Sequence, residues 1–221
     1  MKSRDAILAR VRTALGHALT PEVNPPDANH APPDPPAARL RIPEMGMEAR
    51  ISTFMASLEK LAATARRAAS PAEAGDIVRQ LVENRRAVAS NAPYLEVCGV
   101  TRFPGVRSGV GGRVELRQLC ASADVGITSA DYALADTGTL VLLSGPHEAR
   151  MISLLPPAHI AVLPCERLLS GLDELFAVLP DPAALTSSMV LITGPSRTAD
   201  IEQTLVRGVH GPGQVTVVLV G

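Results

Sequence analysis

Three segments of the chain gather residues able to hold or attack a small anion. The first is Gly194-Pro195-Ser196-Arg197-Thr198-Ala199-Asp200, which follows an apolar run from Met189 to Thr193. Gly194 and Pro195 make a turn there. Ser196 or Thr198 can cap a helix predicted from about Ala199 to Val206. The free N–H groups of its first turn would face outward, at the positive end of the helix dipole. Arg197 adds a forked donor suited to carboxylate or phosphate. The dipole supplies only ~0.3–1 kcal/mol, whereas a micromolar ligand needs about 8 kcal/mol. Anion binding therefore requires Gly194, Ser196, Arg197 and Thr198 to act together. The alternative is that Arg197 pairs with Asp200 or Glu202 and the hydroxyls merely cap. The Gly-Lys-Ser/Thr ending of a P-loop is missing.

The second segment runs from Gly126-Ile127-Thr128-Ser129-Ala130-Asp131 to Asp136-Thr137-Gly138-Thr139. It reads as two small-residue turns around a short helical stretch. Thr128, Thr137 and Gly138 are its candidate ligand contacts. Asp136 can serve as nucleophile or general base if burial raises its pKa. Equally, Asp131 and Asp136 can accept backbone N–H bonds at turns. The third segment is Gly208-Val209-His210-Gly211-Pro212-Gly213. Three glycines in six residues imply close backbone approach or positive φ, and His210 is a candidate acid, base or anion donor. His147 and His159 are further candidates in this half. No histidine spacing matches a helical metal pair, so no metal site is expected.

Alternating elements must position these segments. Ala87–Ala89, Val125–Thr128, Thr139–Ser144, Ile160–Leu163, Met189–Thr193 and Val215–Val220 read as strands. Helices are predicted over much of 44–69, from Pro71 to about Asn84, from Arg113 to Ala121 and from about Glu166 to Leu179. Ser70-Pro71-Ala72-Glu73 has the pattern of a capping box with proline at N1. Apolar strands separated by helices predict a largely parallel sheet covered on both faces. In such sheets ligands collect beyond the carboxyl ends of the strands, where the three segments are expected.

Ahead of this body, Ile7, Leu8, Val11, Ala14 and Leu15 share one stripe of a helix that Ser3 can cap. Residues 20–43 hold eight of the 19 prolines and read as an extended tether. The expected domains are thus a helix over 1–19, a Pro-rich linker over 20–43 and an α/β body over 44–221.

Composition narrows the function classes. The 221 residues carry 21 basic and 22 acidic side chains, a formal net charge of −1, with 2% aromatics and no Trp. Neither nucleic acid nor an anionic membrane surface is an expected partner. Cys98, Cys120 and Cys165 lie far apart without a C-x-x-C pair, which argues against an iron–sulfur cluster or zinc ribbon. Their sparse count fits a reducing cytoplasm. The opening residues lack the apolar core of a signal peptide. No apolar stretch approaches the ~20 residues of a membrane helix.

Four motifs in order, Gly126–Leu142, Leu155–Ile160, Gly194–Glu202 and Gly208–Pro212, resemble the LUD (lactate utilization) domain family. The opening Ser3-Arg4-Asp5-Ala6-Ile7-Leu8 is similar to the start of its lactate utilization C proteins. The resemblance implies a three-layer α/β/α fold of the sugar-phosphate isomerase and CoA-transferase-like kind. It implies a cytoplasmic accessory role in oxidising L-lactate to pyruvate, alongside iron–sulfur and cysteine-rich partner proteins that carry the redox cofactors. No cofactor is then expected in this chain itself. The family has Glu where this chain has Asp136, which draws the carboxylate back by one methylene. Two other expectations stand beside this one. Asp136 could serve an independent acyl-transfer, isomerase or ligase-type enzyme. The N-terminal helix could dock partners or a second copy in a homo-oligomer.

Overall fold

The structure, a computed structural model, describes residues 4–14, 42–199 and 205–221. The chain divides into two units, Met1–Arg39 and Leu40–Gly221. In the first, α1 (Arg4–Ala14) leaves Ile7, Leu8 and Val11 exposed. Its expected cap, Ser3, and residues 20–41 of the expected Pro-rich linker lie outside the described residues.

The second unit opens with α2 (Met47–Lys60), which buries Ile51, Phe54 and Leu58. The predicted helix over 44–69 is therefore shorter than expected, because the chain turns at Leu61–Ala62 and enters β1 (Thr64–Ala68). The capping box opens α3 (Pro71–Leu81) as predicted. Glu73 N donates to Ser70 Oγ at 3.2 Å, and Ala69 N donates to Glu73 Oε2 at 2.8 Å. There follow β2 (Ala87–Ala89), α4 (Pro93–Val97), β3 (Val106–Arg107), α5 (Arg113–Ser122) and β4 (Val125–Ser129). Next come β5 (Tyr132–Leu134), β6 (Thr139–Leu143), α6 (Arg150–Leu154), β7 (Ala158–Pro164) and β8 (Leu168–Leu169). The chain closes with α7 (Leu172–Val178), β9 (Met189–Ile192), β10 (Arg197–Ala199), β11 (Leu205–Arg207) and β12 (Gln214–Val220).

Six strands form an all-parallel sheet in the order β1-β12-β7-β4-β2-β3. Side chains alternate across it, so each strand feeds two cores. Val125, Ile127, Ile160, Val162, Val218 and Val220 pack with Ala74 and Val78 of α3 and Leu95 of α4. On the opposite face Ala161, Leu163, Val217 and Leu219 pack with Ile51, Phe54 and Leu58 of α2. Val88 meets Leu116, Cys120 and Ile152 from α5 and α6 on that same face. Helices thus cover both faces, as the α/β expectation required.

Six of the described strands fall outside the parallel sheet. β8-β5-β6-β9 form a second, mainly antiparallel sheet, whose outer side is closed by Leu175 of α7. The helical stretch expected between Thr128 and Asp136 is instead β5. The helix expected from Glu166 resolves into a short turn, β8 and the shorter α7. Where a helix was expected over 199–206, the described residues Ala199, Leu205 and Val206 are strand. Arg197–Ala199 pair antiparallel with Leu205–Arg207 as a hairpin. Thr198 and Val206, which face each other in that pairing, are β-branched, and such residues favour a pleated surface over a helix.

Candidate functional site

The residues singled out in the sequence fall in three places, and Asp131 and His147 line a cavity at the carboxyl ends of the strands. Thr128 is wholly buried in β4, and its hydroxyl shares a 2.8 Å hydrogen bond with His159 Nε2 on β7. Burial pushes the His159 imidazole down to about 4, which keeps it neutral. His159 and Thr128 therefore form a buried contact within the core, beneath α6.

The candidates at 136–138, 194–198 and 208–213 gather along the second half of α2. Ser57 Oγ donates to the Asp136 carbonyl at 3.1 Å. Gly138 has φ +66, and a Cβ there would lie 3.0 Å from Leu58 N, so this turn against the helix needs glycine. Thr137, Thr139 and Thr193 join their hydroxyls in a chain of 2.8 Å hydrogen bonds. This links the Asp136 turn to the strand end before Gly194. Gly194 abuts Leu61, and the Arg197 guanidinium donates to the Leu61 carbonyl. Ser196 N donates to Pro212 O at 2.8 Å, and Gly208 N to Ser196 O at 3.0 Å. The loop carrying His210 is thereby held beside Ser196. Thr198 lies in β10 opposite Val206, and Asp200 and Glu202 lie outside the described residues.

The segments at 136–138, 194–198 and 208–213 thus converge, but at the other end of the sheet from the one expected. The 208–213 loop precedes β12, and Gly213 N bonds to Pro157 O just ahead of β7. This is the amino end of the parallel strands. Of the helix whose first turn was to bind the anion, Ala199, Leu205 and Val206 are strand residues instead, and 200–204 lie outside the described residues. Asp136, Arg197 and His210 are all exposed. The desolvation that a nucleophilic Asp136 would need is absent.

The carboxyl end is built differently. From β2 the chain runs outward to β3, then returns past β2 to β4, and β7 and β12 continue in that direction. The order reverses between β2 and β4, where open α/β sheets leave a crevice. A cavity of about 530 Å³ lies there, bounded by Ala92–Tyr94 after β2, Ser129–Asp131 after β4 and Pro164 after β7. The turn Gly145–Glu148 closes it, pinned by Asn91 N donating to His147 O at 2.9 Å.

Its polar groups are few and distinct. Asp131 Oδ2 accepts from Leu143 N at 2.7 Å, so the turn-accepting role expected for this residue is the one observed. Burial raises the Asp131 carboxyl, opposed by that bond and by the nearby Arg167. Exposed Arg167 gives one N–H to the Asp131 carbonyl at 3.3 Å and lies 5.5 Å over the Tyr132 ring. It forms no ion pair among the described residues. Glu148 is 9% exposed, and neither carboxyl oxygen has a hydrogen-bond partner. Burial pushes its carboxyl up to about 8, and the charge of Asp131 adds to this. The Ser90 hydroxyl and the Ser129 backbone oppose the rise without bringing hydrogen bonds of ordinary length and angle. Glu148 went unnoticed in the sequence, because a Glu after Gly-Pro-His looks like any solvated turn. Only the strand order places it indoors.

Fold and crevice define an α/β protein with a carboxyl-end pocket of the size used for small ligands. The LUD domain matches residues 51–220, and the chain belongs to the LUD domain family. It is 38% identical to lactate utilization protein C of Halalkalibacterium halodurans over 156 residues, 67% of this chain and 68% of that one. Lactate utilization protein C of Macrococcus caseolyticus is 40% identical over 107 residues, 47% of this chain and 46% of that one. For the protein of that name from an Exiguobacterium species, the match is 42% over 108 residues and 47% of each chain. The chain thus spans about two thirds of the first of these relatives and about half of the other two. A DUF162 family protein from Deinococcus radiodurans has the same fold, with a TM-score of 0.59 and 21% identity over 80% of this chain and 99% of that one.

Proposed function

We propose that this chain acts in L-lactate utilization as an accessory protein, in the cytoplasm, beside iron–sulfur and cysteine-rich partners that carry the electrons. The observation that carries this reading is membership of the LUD domain family together with likeness to several proteins named lactate utilization protein C. The cysteine chemistry supports a division of labour. Cys98, Cys120 and Cys165 are buried and free. Burial pushes the Cys98 thiol up to about 11 and raises the other two. A thiol held protonated is a poor cluster ligand. Among the described residues, no helix is long and apolar enough to cross a membrane.

The same reading assigns the chain a small anionic ligand, and the carboxyl-end cavity offers a better seat for it than the exposed Arg197–His210 rim. The test is growth on L-lactate as sole carbon source, in a strain lacking other lactate dehydrogenases. Deleting the gene should abolish growth, and re-expressing the chain should restore it. Normal growth of the deletion strain rejects the reading.

A further inference from the structure

From the crevice at the β2–β4 reversal we infer a binding site for a small carboxylic acid bearing a hydroxyl or carbonyl oxygen on its α-carbon, with the carboxylate on Arg167 and the α-oxygen on Glu148. The site is assigned from three independent features. The cavity of about 530 Å³ lies where the strand order reverses. Arg167 stands on its wall with one N–H engaged by a backbone carbonyl and no ion pair among the described residues, which leaves its fork available to a carboxylate. Glu148 lines the same cavity, is 9% exposed and has no hydrogen-bond partner for either oxygen. An unpartnered buried carboxyl costs stability, and a ligand oxygen would remove that cost.

Charge decides which ligand fits. Ionised Glu148 would repel a carboxylate and could donate nothing. Protonated Glu148 offers one O–H donor, the complement of a carbonyl or hydroxyl oxygen. Its carboxyl sits at about 8, so the donor form prevails at neutral pH. The other titratable groups on the wall are Asp131, His147, Tyr94 and Arg167. Asp131 is held by Leu143 N and offset by Arg167. The Tyr94 phenol is pushed up to about 12 by burial, so it stays neutral. The apolar remainder of the wall, including Ala92, Val97 and Leu143, suits the carbon body of the acid.

This inference rests on the lactate reading for the α-oxygenated class of acid and for its probes, and on the cavity for the place and the two polar contacts. The full chain is titrated with L-lactate and with pyruvate by calorimetry at pH 7 and pH 9. At least one acid should bind saturably at pH 7 and about tenfold more weakly at pH 9, as Glu148 loses its proton. Arg167→Ala should weaken binding at pH 7 at least tenfold. Glu148→Gln, a neutral near-isostere, should remove the difference between the two pH values. Failure of the folded wild-type chain to bind either acid overturns the site. So does affinity that both substitutions leave unchanged. A growth defect on lactate without binding would leave the pathway reading intact and reject the pocket. Binding without a growth defect would do the reverse.

Discussion

Two buried titratable residues give this fold opposing responses to acid and base. Glu148 has its carboxyl at about 8 in the folded chain, against an ordinary value of 4.5. The folded state therefore keeps a proton that the unfolded state has lost, and stability falls as pH rises from 4.5 to 8. His159 sits at about 4, against 6.5. Here the unfolded state takes up the extra proton, so stability falls as pH drops from 6.5 towards 4. The two effects oppose each other between about pH 4.5 and 6.5, and above 6.5 only the Glu148 effect remains. Urea unfolding of the wild type should show stability declining between pH 6.5 and 8, by up to about 1.4 kcal/mol per unit. Glu148→Gln should flatten that decline. A variant that declines as steeply as the wild type would show that Glu148 is not the group involved.

At the scale of elements, the packing of α6 on β4 hinges on one missing side chain. A Cβ on Gly126 would lie 1.8 Å from the Ile152 carbonyl oxygen and 3.1 Å from the Pro156 ring. The backbone of α6 would have to move to admit it, lifting Ile152 from its contact with Val88 and Cys120. Gly126→Ala should therefore destabilise by about 3 kcal/mol or more. Gly145→Ala, where a Cβ meets nothing within 4 Å, is the matched control and should stay within about 0.5 kcal/mol of wild type. Equal denaturation midpoints for the two variants would refute this account. The hairpin β10–β11 teaches a related lesson. Hydroxyls beside a turn signal a helix cap when read alone, but the Arg197–Arg207 pairing uses those residues in a ladder instead.

At the scale of the molecule, the four buried clusters among the described residues are built from residues beyond position 50. Among the described residues, every strand lies in the unit Leu40–Gly221. A chain beginning at residue 40 should fold with a Tm within about 2 °C of full length, less than a loss of 1 kcal/mol causes in a domain of this size. A markedly lower Tm would mean that the first 39 residues contribute to the core. Co-purification with iron–sulfur partners, compared for the two lengths, then asks separately whether exposed Ile7, Leu8 and Val11 serve docking.

Much of this protein is written locally. The capping box at Ser70, the β-branched run from Val215 to Val220 and the apolar strands at Ala87 and Val125 declare themselves through short-range sterics and hydrogen bonding, which neighbours along the chain decide. The motif series likewise identified the family. Sheet membership is not local. Val125–Ser129 and Thr139–Leu143 are short strands buried to the same extent, yet one joins the parallel sheet and the other the antiparallel one. Which end of the sheet a loop occupies depends on strand direction as well, and this carried the His210 loop to the amino end. Glu148 is the clearest case. Its burial and its empty hydrogen-bonding positions arise only when β2, β4 and β7 end around it, because desolvation is a property of the surrounding volume and not of the residues adjacent in the chain.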